Sequence, residues 1–215
     1  MQMKTLNGKI FTRQLVMFFG GLNIIQFGVA MFLCLGIGSD PFTVFSQGIS
    51  RLLNINIGNA NRVLTFCLLL LLFFINRKKI NIGMILSIVF TGMFLNMYIK
   101  FVKLIMPGNI TLIGSIVLFF LASIPVSIGF AIMKSARLGV APNDYLYLLI
   151  TSYVKKPYSV VRIITDTIYI IFGVLFGGIA GIGTIICIIT QGPLIQLFMA
   201  RVEPTLEGFL VEKNN

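Results

Sequence analysis

The sequence predicts an all-α membrane protein: six transmembrane helices built as two inverted three-helix repeats, each with a short broken or re-entrant helix. Composition is the first reason. Hydrophobic residues make up 57% of the chain and charged residues 11%, against about 25% charge in soluble domains, and the mean hydropathy is +0.99. The second reason is internal repetition. In one register Gly28 pairs with Gly129, Ala30 with Ala131, Gly38 with Gly139, Pro41 with Pro142 and Ile49 with Ile150; one residue over, Arg62 pairs with Arg162, Thr65 with Thr165, Gly83 with Gly183 and Gly92 with Gly192. A single residue of slack between positions 49 and 62 reconciles the two registers. The third reason is charge. Asn76-Arg77-Lys78-Lys79 corresponds to the uncharged Phe176-Gly177-Gly178-Ile179, while Lys134 and Arg137 correspond to Leu33 and Gly36. Three spans per copy is an odd number, so the second copy enters the membrane from the opposite face, as in many secondary transporters.

In chain order, residues 1–14 form a cytoplasmic segment bearing Lys4, Lys9 and Arg13. The apolar run 15–35 is too long for a signal peptide and ends at no small-residue cleavage site, so it reads as a retained first span. Runs 63–75, 82–98, 111–133, 163–179 and 182–200 supply the other five, the run 63–75 needing its polar flank to reach the roughly 20 residues a span requires. Repeat 1 is then 15–105, repeat 2 is 111–200, and 201–215 is a polar cytoplasmic tail.

Between the first and second span of each copy stands the same device: Gly36-Ile37-Gly38-Ser39-Asp40-Pro41 and Leu138-Gly139-Val140-Ala141-Pro142-Asn143-Asp144. Glycine ends a helix at positive φ, and proline opens the next one because its missing N–H would be unbonded there. Short helices are expected at about 42–53 and 143–153, each about 18 Å long and therefore re-entrant or interfacial. In the first, Phe42, Phe45, Ile49 and Leu52 share one face and Thr43, Ser46 and Ser50 another. Around the second, Tyr145, Tyr147, Tyr153 and Tyr158 suit an interfacial belt.

A net charge of +11 would point to nucleic acid in a soluble protein. Here the cations sit at the ends of apolar runs, where they orient helices and meet anionic lipid, so the partner is the bilayer and no nucleic acid is expected. With both termini cytoplasmic, Arg77, Lys78, Lys79, Lys134, Arg137, Lys155, Lys156, Arg201 and Lys213 lie inside, and Arg51, Arg62, Lys100 and Lys103 outside. Cys34, Cys67 and Cys187 lack metal or disulfide spacing and read as small core residues. No histidine is present, which removes the commonest general base and metal ligand. No catalytic residue, metal or cofactor is predicted.

Backbone freed at a break inside a membrane is tolerated where it packs in protein or lines a wet cavity, and half-helix N-termini favour ligand groups of negative charge. Candidate binding residues are therefore Gly38, Asp40, Pro41, Phe42, Gly139, Pro142, Asn143 and Asp144. The competing reading, favoured for Asp40, makes it a helix N-cap and Asp144 a satisfier of its first turn. Asp166 follows Arg162 by one helical turn, and costly intramembrane charges predict that the two pair. Arg62 occupies the equivalent place in copy one with Phe66 instead of an acid, leaving Asp40 or Asp144 as its partner, or head groups by snorkelling. Arg62, Arg162, Asp166 and Gln191 join the candidates, the Arg162–Asp166 pair being either structural or coupled to a ligand or proton; Asn23, Gln26 and Asn96 read as interhelical hydrogen-bonding groups. Gly173, Gly177 and Gly181, spaced by four, predict close packing in the fifth–sixth hairpin or between protomers of a homodimer.

Gly36-x-Gly38-x-x-Pro41-Phe42, Leu138-Gly139-x-x-Pro142-x-Asp144, Val161-Arg162 and Gly177-Gly178 with Gly181-x-Gly183-Thr184 together resemble the YczE/YyaS/YitT group of bacterial membrane proteins, nearest its YczE branch, over about residues 15–200. In that group an acid tends to stand two residues after each proline and at the place of Asp166. Asp144 matches; the first copy departs, with Thr43 there and Asp40 ahead of the proline. The resemblance implies a bacterial inner-membrane protein and supplies no substrate. The expected function is movement of an unidentified small solute by a transporter-like protein, the arginines near helix N-termini pointing to an anion and the two spare acids equally to a proton or a cation; the alternative is a membrane-embedded regulatory or scaffold protein acting through protein partners.

Overall fold

The computed structural model describes residues 8–77 and 80–210, apart from the side chains of Asn76 and of 207–210. Lys4, Lys78, Lys79 and Lys213 lie outside the described residues. Among those described, eight helices form in the order α1 Gly8–Leu35, α2 Pro41–Leu53, α3 Ile57–Asn76, α4 Ile82–Ile105, α5 Leu112–Ser135, α6 Pro142–Val154, α7 Tyr158–Leu175 and α8 Ile182–Leu210. All except α2 and α6 have the length and hydropathy to cross a bilayer. The two short helices have 13 residues each, about 20 Å of helix against a core of about 30 Å.

Where helix bounds differ from the apolar runs, local chemistry explains it. α3 does recruit its polar flank, because Asn56 caps it by accepting a hydrogen bond from the Asn59 N–H. α7 begins at Tyr158, right after Pro157, and ends at Leu175, since Gly177 at φ 90° turns the chain. Hydropathy ran past that turn because Ile179 lies beyond it. α8 continues through Pro204 to Leu210, so the presumed tail 201–215 is helical over the described part, tied back by the Lys134–Glu203 ion pair.

Phe66, Leu70, Phe73 and Phe74 on α3 and Ile164, Ile168, Ile171 and Leu175 on α7 are exposed. Apolar surface on this scale is far beyond what soluble monomers show and matches lipid contact. Cys67 belongs to that surface and is no core residue; Cys187 is buried and Cys34 is half-buried.

The packing obeys the sequence repeat. α1 lies on α4 as α5 lies on α8, α3 on α4 as α7 on α8, and α2 on α3 as α6 on α7; each short helix also packs on the other half, α2 on α7 and α6 on α3. α1 and α5 meet at the centre. A Cβ at Gly21 would stand 2.5 Å from the Gly129 carbonyl oxygen, and one at Gly28 would stand 3.0 Å from that of Ala122. Position rises along α1 as it falls along α5, so these two helices run in opposite directions.

Matched hydrogen bonds brace the breaks. The first N–H groups of a helix lack intrahelical partners. Gly183, near the start of α8, gives its N–H to the Ile37 carbonyl at 2.8 Å, and Gly83, near the start of α4, gives its own to the Leu138 carbonyl at 2.8 Å. Each half thus ties down the break of the other.

Candidate functional site

The site grows from the two breaks. Gly36 (φ 71°) and Gly38 (φ 123°) follow α1, and Arg137 (φ 58°) and Gly139 (φ 105°) hold the matching places after α5. Asp40 caps α2: one carboxylate oxygen accepts the Thr43 N–H at 3.1 Å and the other the Ser39 hydroxyl at 3.4 Å. The Thr184 hydroxyl accepts the Ser39 N–H at 3.2 Å, fixing this turn against α8. Asp40→Ala should cost about 1 kcal/mol by loss of the cap while Asp40→Asn, which retains an acceptor, costs less; chemical unfolding in detergent measures the difference.

Asp144 stands in the first turn of α6, whose N-cap position is held by Ala141, and no hydrogen bond ties its carboxylate to that turn among the described residues. It faces a central cavity instead. All eight helices contribute to that cavity, lined by Asp40, Phe42, Asn143, Asp144, Arg162 and Gln191 from the predicted set and by Gln26, Thr43, Asn61, Thr91 and Tyr147. It offers about 70 Å³ to water centres, several times the ~10–15 Å³ one water needs. Asp40, Asp144 and Arg162 are close enough to interact electrostatically.

Behind the cavity wall stands a buried ion pair. Arg162 Nε lies 3.5 Å from Asp166 Oδ2, as the one-turn spacing predicts, although off the line of a hydrogen bond. Arg162 Nη1 donates to the Tyr158 hydroxyl at 2.9 Å, and the Tyr147 hydroxyl donates to Asp166 Oδ1 at 2.6 Å. The guanidinium carbon lies 5.0 Å from the Tyr147 ring centroid, within cation–π range. Tyr147 is 1% exposed and Tyr158 is 7% exposed, which overturns the interfacial belt for these two; Tyr153, at 66%, remains outside. A tyrosine suits either place because it is apolar with one polar tip, and here the Arg162–Asp166 pair supplies the hydrogen-bonding partners.

Other expectations resolve differently. Gly38, Pro41, Gly139 and Pro142 shape the breaks without lining the cavity. Arg62 pairs with neither Asp40 nor Asp144: its Nη1 reaches Asn59 Oδ1 on the preceding turn at 3.4 Å, and Asn61, not Arg62, faces the cavity. Both faces of α2 are engaged, with Thr43 and Ser46 buried on one and Phe42 buried on the other, while Leu52 near its end is exposed. Gly173 packs on α2 rather than in a fifth–sixth hairpin, its Cβ position lying 2.8 Å from the Phe45 nitrogen. Asn23 and Asn96 do act between helices, accepting from the Tyr98 hydroxyl and donating to Asn56.

The repeat register could have revealed what the residue-by-residue reading missed. Gln191 donates to the Ser127 hydroxyl at 3.3 Å. Their counterparts one repeat earlier are Thr91 and Gln26, and both line the cavity.

Fold and site together define a multi-pass integral membrane protein with six apolar helices and a polar, charged cavity between two broken segments. The chain belongs to the family of unknown function DUF6198, whose model matches residues 12–200. It is similar to the uncharacterized protein YyaS of Bacillus subtilis, at 26% identity over 92% of this chain and 96% of that one. The uncharacterized membrane protein YczE of the same organism is 27% identical over 86% and 84% of the two chains. An uncharacterized protein of Haemophilus influenzae is 26% identical over 83% and 79%. The resemblance to the YczE/YyaS group therefore holds over most of the chain. No solved structure matches it.

Proposed function

We propose that the protein is a transporter of a small solute, built from two inverted three-helix repeats around the central cavity. The observation that carries this reading is the convergence of both helix breaks on one polar cavity that holds Asp40, Asp144 and Arg162. Buried charge in a membrane protein is costly and accompanies solute or ion pathways, and broken helices at repeat interfaces are where such pathways bind their cargo. The opposite courses of α1 and α5, and the matched Gly83 and Gly183 hydrogen bonds, support the inverted relation. The cation distribution supports cytoplasmic termini in a bacterial inner membrane.

The test needs no knowledge of the solute. In a background with Cys34, Cys67 and Cys187 replaced, Asn143→Cys should react with a membrane-impermeant thiol reagent both in intact cells and in inside-out vesicles, as alternating access requires. The exposed positions Asn59 and Lys156, at the starts of α3 and α7, serve as side reporters. Asn59→Cys should react from outside only and Lys156→Cys from inside only. Same-side reaction of the reporters refutes the inverted repeat, and reaction of Asn143→Cys from neither face favours the scaffold alternative.

A further inference from the structure

We infer that the central cavity is a binding site for a small cation of alkali-metal or ammonium size, a substrate class that rests on the transporter reading. The charge balance carries this inference. Half-helix N-termini favour an anion in principle, yet the first turn of α2 is already occupied by the Asp40 carboxylate. Arg162 spends its charge on Asp166 and its donor on Tyr158. Three carboxylates thus face one guanidinium, and the two left over, Asp40 and Asp144, line the cavity.

A second observation is independent of the acids. Gln26 is 5% exposed and Thr91 is 8% exposed, both line the cavity, and neither is satisfied: the Thr91 hydroxyl has no hydrogen-bond partner and Gln26 makes no hydrogen bond among the described residues. Their repeat counterparts, Ser127 and Gln191, bond to each other. Buried polar groups without partners are expensive and point to a missing one. The amide oxygen of Gln26, the hydroxyls of Thr91 and Thr43 and the two carboxylates form an oxygen-rich set, which hard cations and ammonium groups both accept.

Thermal unfolding of the purified full-length protein in detergent tests this. Sodium, potassium or methylammonium chloride is titrated against N-methylglucamine chloride at constant ionic strength, and the anion is then exchanged among chloride, gluconate and phosphate at constant cation. One small cation should raise the Tm saturably, the response separating a metal from an ammonium, while exchanging the anion should leave it unchanged. Asp144→Asn, Asp40→Asn and Gln26→Met should each weaken that cation's apparent affinity, the two aspartate changes by at least about tenfold; the variants' Tm without cation reports their folding. Stabilisation by an anion, no response to any small cation, or a response unchanged in folded Asp40→Asn and Asp144→Asn overturns the inference. If cation binding follows these variants while Asn143→Cys reacts from one face only, transport fails and the cation site stands; access from both faces with an anion bound gives the converse.

Discussion

Asp166→Ala is expected to destabilise the protein by roughly 3–5 kcal/mol, the cost of leaving one partner of a buried ion pair uncompensated. Asp166 is 1% exposed and Arg162 is 8% exposed, so head groups cannot take over, and among the described residues Asp166 is the acid within ion-pair distance of Arg162. The change also strips the Tyr147 hydroxyl of its acceptor. Replacing both members, as Arg162→Met with Asp166→Leu, should recover part of the loss, because apolar residues of similar volume substitute for a buried pair. It should not recover all of it, because Asp40 and Asp144 lose the guanidinium near them and the Tyr158 hydroxyl loses its donor. Chemical unfolding in detergent micelles measures both. A single-variant cost below about 1 kcal/mol would be that of an exposed pair and would contradict the enclosed cluster. Asp166→Asn, which preserves size and an acceptor, should instead yield folded protein in which Asn143→Cys no longer reacts from both faces, since the tyrosines and Arg162 lose their charged anchor.

Gly21→Ala is expected to cost at least about 3 kcal/mol, the upper end for overpacking a tight interior. The added methyl would stand 2.5 Å from the Gly129 oxygen and 2.7 Å from the Met133 nitrogen, and backbone atoms on both sides have nowhere to rotate. α1 and α5 would have to separate along the central crossing. The adjacent Gly20 is the control, because nothing lies within 4 Å of its Cβ position. Gly20→Ala should be neutral or stabilising by about 0.5–1 kcal/mol through helix propensity. Equal effects at the two positions in unfolding experiments would show that the helices do not touch there.

The number of spans and the places of the two breaks were legible in the chain because both have local causes. A backbone in lipid must bond to itself, so apolar runs become helices, and Gly36, Gly38, Gly139 with Pro41 and Pro142 impose dihedral choices that no distant contact has to supply. The Arg162–Asp166 pair was legible too, since both members lie on one helix within a turn. The α7 boundary was not, because the residues beyond Gly177 are as apolar as those before it. The Asp40 cap was legible as well, since the Thr43 N–H it accepts lies three residues on; the open cavity before Asp144 was not, because it depends on which helices stand opposite.

Sequence by itself determined that this is a membrane protein of six spans with two interrupted segments, because hydropathy, glycine and proline act within one or two turns. Tertiary structure alone decided which polar residues share the cavity. Arg62 and Arg162 hold equivalent places, yet one bonds to Asn59 at the preceding turn and the other is enclosed by Tyr147, Tyr158 and Asp166. A side chain's environment is set by neighbours across the bundle, and in an apolar chain the burial of a polar group is decided by whether a partner waits there.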